Sequence, residues 1–200
     1  MSITTYTELR QAVADWLERA DLATRIPDFI ALFEAAANRR LRVRQQEAST
    51  VLTPSSGAVA LPADYLAWRR VTWTGSNRVE LQYVHPSYLQ AAYPSSPSDV
   101  PRIFTIEGST LKVRPVDNTA LELDYYQKIP ALSAGANWLF GAHPDLYLFG
   151  SLVEACLFAP EKSASAPAWK TRRDEIFDEI ETLSNKTRGA GAIRFMGVTP

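Results

Sequence analysis

Leu9, Ala12, Val13, Trp16 and Leu17 recur at helical spacing. They follow Thr5 and Glu8, a pair set three apart as in a capping box, and the pattern predicts an amphipathic helix from about Tyr6 to Arg19. A short link, "ADLATRI", leads to Pro27 at a first-turn position. Phe29, Ile30, Phe33, Ala37 and Leu41 then mark the inner face of a second helix, and the brevity of the link favours an antiparallel pair.

After Arg44 the period shortens. "ASTVLTP", "AVALP", "AWRRVTW", "RVELQYV", "RIFTI", "TLKVR" and "ALELDYYQ" are short β-prone runs separated by turn-forming stretches such as "SSG", "TGSN", "EGS" and "VDNT". Val71 and Trp73 alternate with Arg70 and Thr72, and Leu121, Leu123 and Tyr125 with Glu122, Asp124 and Tyr126, so one sheet face is wet. The exception to the tight turns is "HPSYLQAAYPSSPSDVP", read as a helical turn followed by a proline-rich loop from Tyr93 to Pro101 that projects from the sheet.

Helical pattern returns at His143. Pro144 and Asp145 suit a helix start, and Leu146 to Ala159 are apolar nearly all round, which predicts a central helix buried on most sides and ended by Pro160. A last helix from about Pro167 to Leu183 places Trp169, Ile176, Ile180 and Leu183 on one face, with Lys170 and Asp174 four apart on the other. Beyond it, Gly189, Gly191 and Gly197 break any helix, yet Ile193, Phe195, Met196 and Val198 are apolar and need cover. That cover is either the chain's own domain or a neighbouring subunit on which the tail orders.

These elements predict an α+β fold: a bundle of about four helices, an inserted antiparallel β-sandwich or partly open barrel, and an extended C-terminal arm. The expected divisions are a helical pair at 1–45, the β domain at 46–130, a second helical pair at 131–186 and the arm at 187–200.

Composition narrows the chemistry. The 200 residues are 46% apolar and 22% charged, as in an ordinary globular protein, and a net charge of -1 gives no global attraction to nucleic acid or anionic membrane. One cysteine, Cys156, allows no internal disulfide and points to a reducing compartment. No basic segment followed by an apolar run opens the chain, and the longest apolar stretch is interrupted by Glu154 and falls short of the roughly 18 residues of a membrane span, so neither a secretory signal nor a membrane helix is expected.

His85, His143 and Cys156 are too few and too scattered for a structural zinc site, and both histidines precede proline, as turn or helix-start residues do. Serine-hydrolase elbows and phosphate-cradling glycine loops are absent, and "NKT" at Asn185 is read as an accidental glycosylation pattern. No cofactor is expected. The carboxylates of "RRDEIFDEIET" read as a solvated, self-paired helix face, whereas Glu154 within an apolar helix calls for a partner such as an arginine.

Arg39, Arg40, Arg42 and Arg44 form the one concentrated basic feature, which either complements the negative end of the second helix or serves as a docking patch for an acidic surface or DNA phosphates. Trp68, Tyr83 and Tyr126 are read as strand packing in preference to a stacking platform for bases or sugars.

The order and spacing of "TYTELRQAVADWLERADLATRIPDFIALFEAAANRRLR", "LPADYLAWRRVTW", "PRIFTIEGSTLKVRP" with "LELDYYQKIPAL", and "NWLFGAHPDLYLFGSLVEAC" resembles the head-to-tail adaptor, or connector, proteins of tailed bacteriophages, particularly the short-tailed type, almost end to end. The resemblance implies a structural virion protein without enzymatic turnover. It implies a ring, commonly of twelve copies, that docks on the portal protein, surrounds the DNA channel and offers a platform to tail nozzle, tube or fibre proteins at the head–tail junction, after assembly in the host cytoplasm. By position in such adaptors, Thr187 to Pro200 is expected to be a portal-binding arm, with Ile193, Phe195 and Met196 as apolar anchors and Arg188 and Arg194 as charged contacts. Arg39 to Arg44 are expected at a subunit boundary, and "NWLFGAHPDLYLFG" is read as scaffold. Competing readings are a head-completion or stopper protein below another connector, a small cell-wall hydrolase using Glu154 as acid, and a nucleic-acid-binding module using the arginines.

Overall fold

Thr5 and Glu8 cap each other reciprocally at the start of the first helix, α1 (Tyr6–Leu17): the Glu8 N–H donates to Thr5 Oγ1 at 3.2 Å and the Thr5 N–H to Glu8 Oε2 at 3.0 Å. The helix ends two residues short of the expected Arg19, because Glu18 turns left-handed with φ 54°. A computed structural model describes residues 3–92 and 99–189. Along the chain follow α2 (Ile26–Arg40), β1 (Glu47–Leu52), β2 (Ala58–Ala60), β3 (Tyr65–Trp73), β4 (Val79–Glu80), β5 (Gln82–Tyr83) and α3 (Pro86–Ala92). Then come β6 (Ile103–Glu107), β7 (Thr110–Arg114), β8 (Leu121–Gln127), α4 (Trp138–Ala142), α5 (Pro144–Cys156) and α6 (Ala166–Gly189). The class is α+β as expected, and the four bundle helices foreseen are α1, α2, α5 and α6. The helical turn expected after His85 is the seven-residue α3, and a five-residue helix, α4, is added before α5.

The chain divides into two units, one formed from 1–45 with 129–200 and the other Gln46–Lys128. In the helical unit α5 is central, packing on α1, α2, α4 and α6. Tyr147 and Phe33 are buried almost completely and meet edge to face at 5.0 Å. A fully buried side chain of this kind stabilises the fold by about 1.5–3 kcal/mol. Gly150 of α5 sits where any Cβ would strike the Phe33 ring, so α2 and α5 approach at that point only because the side chain is missing.

Three expectations about faces change. Trp16 is 46% exposed and rests its ring edge-on against Phe149 at 5.6 Å and beside Trp169 at 6.4 Å, capping the core without entering it. Leu183 is exposed while Ser184 is buried, because a 3.6-residue period carries the inner stripe of α6 from Ile176, Phe177 and Ile180 to position 184. The apolar run of α5 closes at Cys156, so Leu157 and Phe158, expected inside, are exposed. Helix α6 also continues past Leu183 to Gly189, so residues 187–189, assigned to an extended arm, are helical.

The β unit holds two four-stranded sheets, β1-β8-β3-β4 and β2-β7-β6-β5, neither closed into a barrel. Val71, Trp73, Leu121, Leu123 and Tyr125 of the first and Phe104, Leu111 and Val113 of the second share one core, as in a sandwich. The run "RVELQYV" becomes two strands. Its first half pairs with β3, the buried Leu81 makes the corner, and its second half pairs parallel to β6, the departure from an otherwise antiparallel arrangement. Gly108 at φ 58° turns the β6–β7 hairpin.

On the outward face of the first sheet, Glu122 and Asp124 of β8 alternate with the inward leucines and are held by Arg78 and Arg70. Arg69 reaches Glu47 at 2.7 Å and lies over the Tyr126 ring at 5.6 Å. This is the wet face that the alternation predicts. Of the expected loop from Tyr93 to Pro101, residues 93–98 lie outside the described residues.

Candidate functional site

The four arginines at the end of α2 have different fates. Arg40 turns toward α6, where its guanidinium meets Asp174 at 3.3 Å, Glu181 at 3.0 Å and also Asp178. The carboxylates of "RRDEIFDEIET" are therefore held largely from another helix, and Asp174 pairs with Arg40 and Arg173. Arg42 folds back to donate to the carbonyls of Asn38 and Leu41, satisfying oxygens that the helix end leaves open. The main-chain N–H of Arg44 donates to the buried Ser184 hydroxyl at 3.2 Å, while its side chain and that of Arg39 are exposed. Arg39 and Arg44 are thus the members of the cluster whose side chains face outward.

A second constellation lies inside the helical unit and centres on Glu34, which sequence reasoning did not single out. Its position is legible in retrospect: it falls one turn after Ile30 and one before Asn38 on the inner face of α2. Glu34 is 8% exposed. Its Oε1 accepts the Leu132 N–H at 2.6 Å and the Tyr147 hydroxyl at 3.2 Å. Burial pushes its carboxyl above the ordinary glutamate range, with the bonds from Leu132 and Tyr147 pulling the other way. Burial likewise raises the Tyr147 phenol.

The Tyr147 oxygen also accepts from Asn137 Nδ2 at 2.8 Å, and the same amide donates to the Pro130 carbonyl. Asn137 Oδ1 caps α4 by accepting the Phe140 N–H at 2.9 Å. The expected scaffold segment "NWLFGAHPDLYLFG" therefore contributes both the cap of α4 and the polar partner of a buried tyrosine.

Glu154 is half-buried and has no ion-pair partner among the described residues, in place of the arginine expected for it. His85 bonds Ser87 at 2.6 Å in the turn before α3, and His143 lies at the α4–α5 junction. Cys156 is buried, with its Sγ 3.7 Å from the Lys162 carbonyl. Among the described residues no three of His, Cys, Asp and Glu are grouped to hold a metal ion, and no helix is long and apolar enough to cross a membrane.

Trp68 stacks on Tyr83 at 5.5 Å, with the edge of Phe104 against both rings, while Tyr126 lies under Arg69. The rings pack on one another, with Trp68 and Tyr83 both remaining exposed. Of the proposed arm contacts, Ile193, Arg194, Phe195 and Met196 lie outside the described residues, and Arg188 falls in the last turn of α6.

The family model described as SU10 adaptor protein matches residues 4–194 of the chain. No curated protein sequence matches it.

Proposed function

Because the chain belongs to the SU10 adaptor protein family, structural adaptors of bacteriophage, we propose that it forms a ring that docks on the portal and presents a platform for tail components around the DNA channel. The observation that carries this reading is the family match, which takes in both helical segments and the inserted β unit. The ring has twelve copies, assembles in the host cytoplasm and stays in the virion at the head–tail junction, where nozzle, tube or fibre proteins attach. The protein works without turnover.

Residues beyond Gly189 act as the portal-binding arm, with Ile193, Phe195 and Met196 as apolar anchors and Arg194, with Arg188 at the end of α6, as charged contacts. Arg39 and Arg44 take the subunit boundary, since Arg40 and Arg42 are engaged within their own chain.

The test mixes purified protein with the portal encoded beside it and follows native mass and electron-microscopy images, using the full chain and a chain ending at Gly189. A ring on the portal that requires the last residues is the expected result. A complex with neither form overturns portal docking and favours a stopper bound below another connector. A ring equally stable without the tail removes the arm from the reading and leaves the adaptor assignment intact.

A further inference from the structure

Residues 129–132 are the stretch by which the chain re-enters the helical unit after β8, and α2 holds it through side chains. Asn38 Oδ1 accepts the Ile129 N–H at 2.8 Å and Asn38 Nδ2 donates to the Ile129 carbonyl at 3.3 Å. One turn earlier, Glu34 accepts the Leu132 N–H and the Tyr147 hydroxyl. Two residues four apart on one helix thus grip the main chain at positions 129 and 132.

Of these two grips one is titratable. Among the described residues no cation reaches Glu34 within ion-pair distance. The ionisable groups facing it are Tyr147 from α5 and Tyr6 from α1, the latter also influenced by Arg10 and by Asp28 of α2. The turn Leu132–Ala134 and α4 contain no ionisable residue, and Asp174, Asp178 and Glu181 of α6 are tied to Arg40.

Two demands compete at such a carboxyl. Ionisation strengthens bonds from N–H and O–H donors, but an unpaired charge in a dry site is costly. The neutral acid keeps Oε1 as acceptor for Leu132 without that cost. We infer that Glu34 makes residues 129–132 a proton-linked latch, closed over the neutral carboxyl and loosened when the carboxyl ionises with no cation to meet it.

The inference is independent of portal docking and is tested on the isolated full-length chain. In a 15N-labelled sample titrated from acid to neutral pH, the Leu132 amide resonance should move with a midpoint above the ordinary glutamate range. Its hydrogen exchange, corrected for the intrinsic pH dependence, should rise as pH climbs from the ordinary glutamate range to that midpoint, by up to about tenfold per pH unit, and level off above it. Glu34→Gln should abolish both responses, and Tyr147→Phe, which removes a donor to the carboxylate, should raise the midpoint further. A Leu132 amide that titrates at an ordinary glutamate pH, that does not respond, or that keeps its response in Glu34→Gln overturns the latch. The wild-type and Tyr147→Phe titrations decide the question even if the glutamine variant does not fold.

Discussion

The guanidinium carbon of Arg40 lies 4.6 Å from the centre of the Phe177 ring. A cation from α2 thereby lies over the ring of a buried residue of α6 while its nitrogens reach three carboxylates of that helix. The side chain is about one-third exposed, so solvent weakens each ion pair, and the contact with the ring adds to what the separate charges supply. Replacing Arg40 by Ala should cost about 1–2 kcal/mol of stability. Replacing it by Lys should cost nearly as much, because one ammonium on a flexible stem cannot reproduce the three separate nitrogens with which the guanidinium meets Asp174, Asp178 and Glu181. Urea unfolding at low and high salt checks this, and the deficit of both variants should shrink as salt rises.

Gly150→Ala tests the contact between α2 and α5. The added methyl meets the Phe33 ring, itself wedged against Tyr147 and Phe177, so the ring has little room to move. Overpacking of this kind should lower stability by about 1–3 kcal/mol, read as a fall in thermal midpoint. An unchanged midpoint would mean that the two helices separate more easily than their packing suggests.

Asn38→Ala should cost about 1–3 kcal/mol, because it leaves the Ile129 N–H without its acceptor and its carbonyl without a donor. Asn38→Asp retains an acceptor and loses the donor, and should recover part of the loss. Denaturant midpoints of the two variants, measured together, separate these contributions.

In the β unit, Asp117 accepts the Trp73 indole N–H at 2.6 Å, the N–H groups of Asn118 and Thr119, and the Thr119 hydroxyl. Burial raises its carboxyl, but these donors outweigh burial and hold it below the ordinary aspartate range. With the folded value depressed, its stabilisation is present above the unfolded value and is lost as pH falls through the folded one. Asp117→Asn should therefore destabilise at neutral pH by about 1–3 kcal/mol and reduce the loss of stability on acidification, with Trp73 fluorescence as the readout.

The arginine cluster shows how far a candidate site could be read in advance. Four basic residues in six positions at a helix end are plain from the chain, and so are the two options of capping that helix or facing a partner. Which arginine does which depends on α6, more than 130 residues away, whose carboxylates claim Arg40. Glu34 was passed over for a related reason, although its spacing from Ile30 places it on the inner face of α2. An acid followed by alanines in the middle of an amphipathic helix looks like a surface residue until Leu132 and Tyr147 close over it. The search for a buried acid went to Glu154, which interrupts an apolar run and yet is only half-buried.

Local pattern determined where the chain is helical and where it is extended. Capping at Thr5, the proline at the start of α2, the seven β-prone runs and the apolar stretch from Leu146 are consequences of side-chain chemistry within a few residues, and they locate the elements of an α+β adaptor fold. Only the tertiary structure decided how those elements share partners. "RVELQYV" is equally β-prone in both halves, and nothing within it says that Leu81 will turn a corner so that one half joins β3 and the other β6. The split of the arginines and the burial of Glu34 have the same origin. Hydrogen bonds and desolvation depend on groups distant in the chain, and their outcome exists only once those groups are packed together.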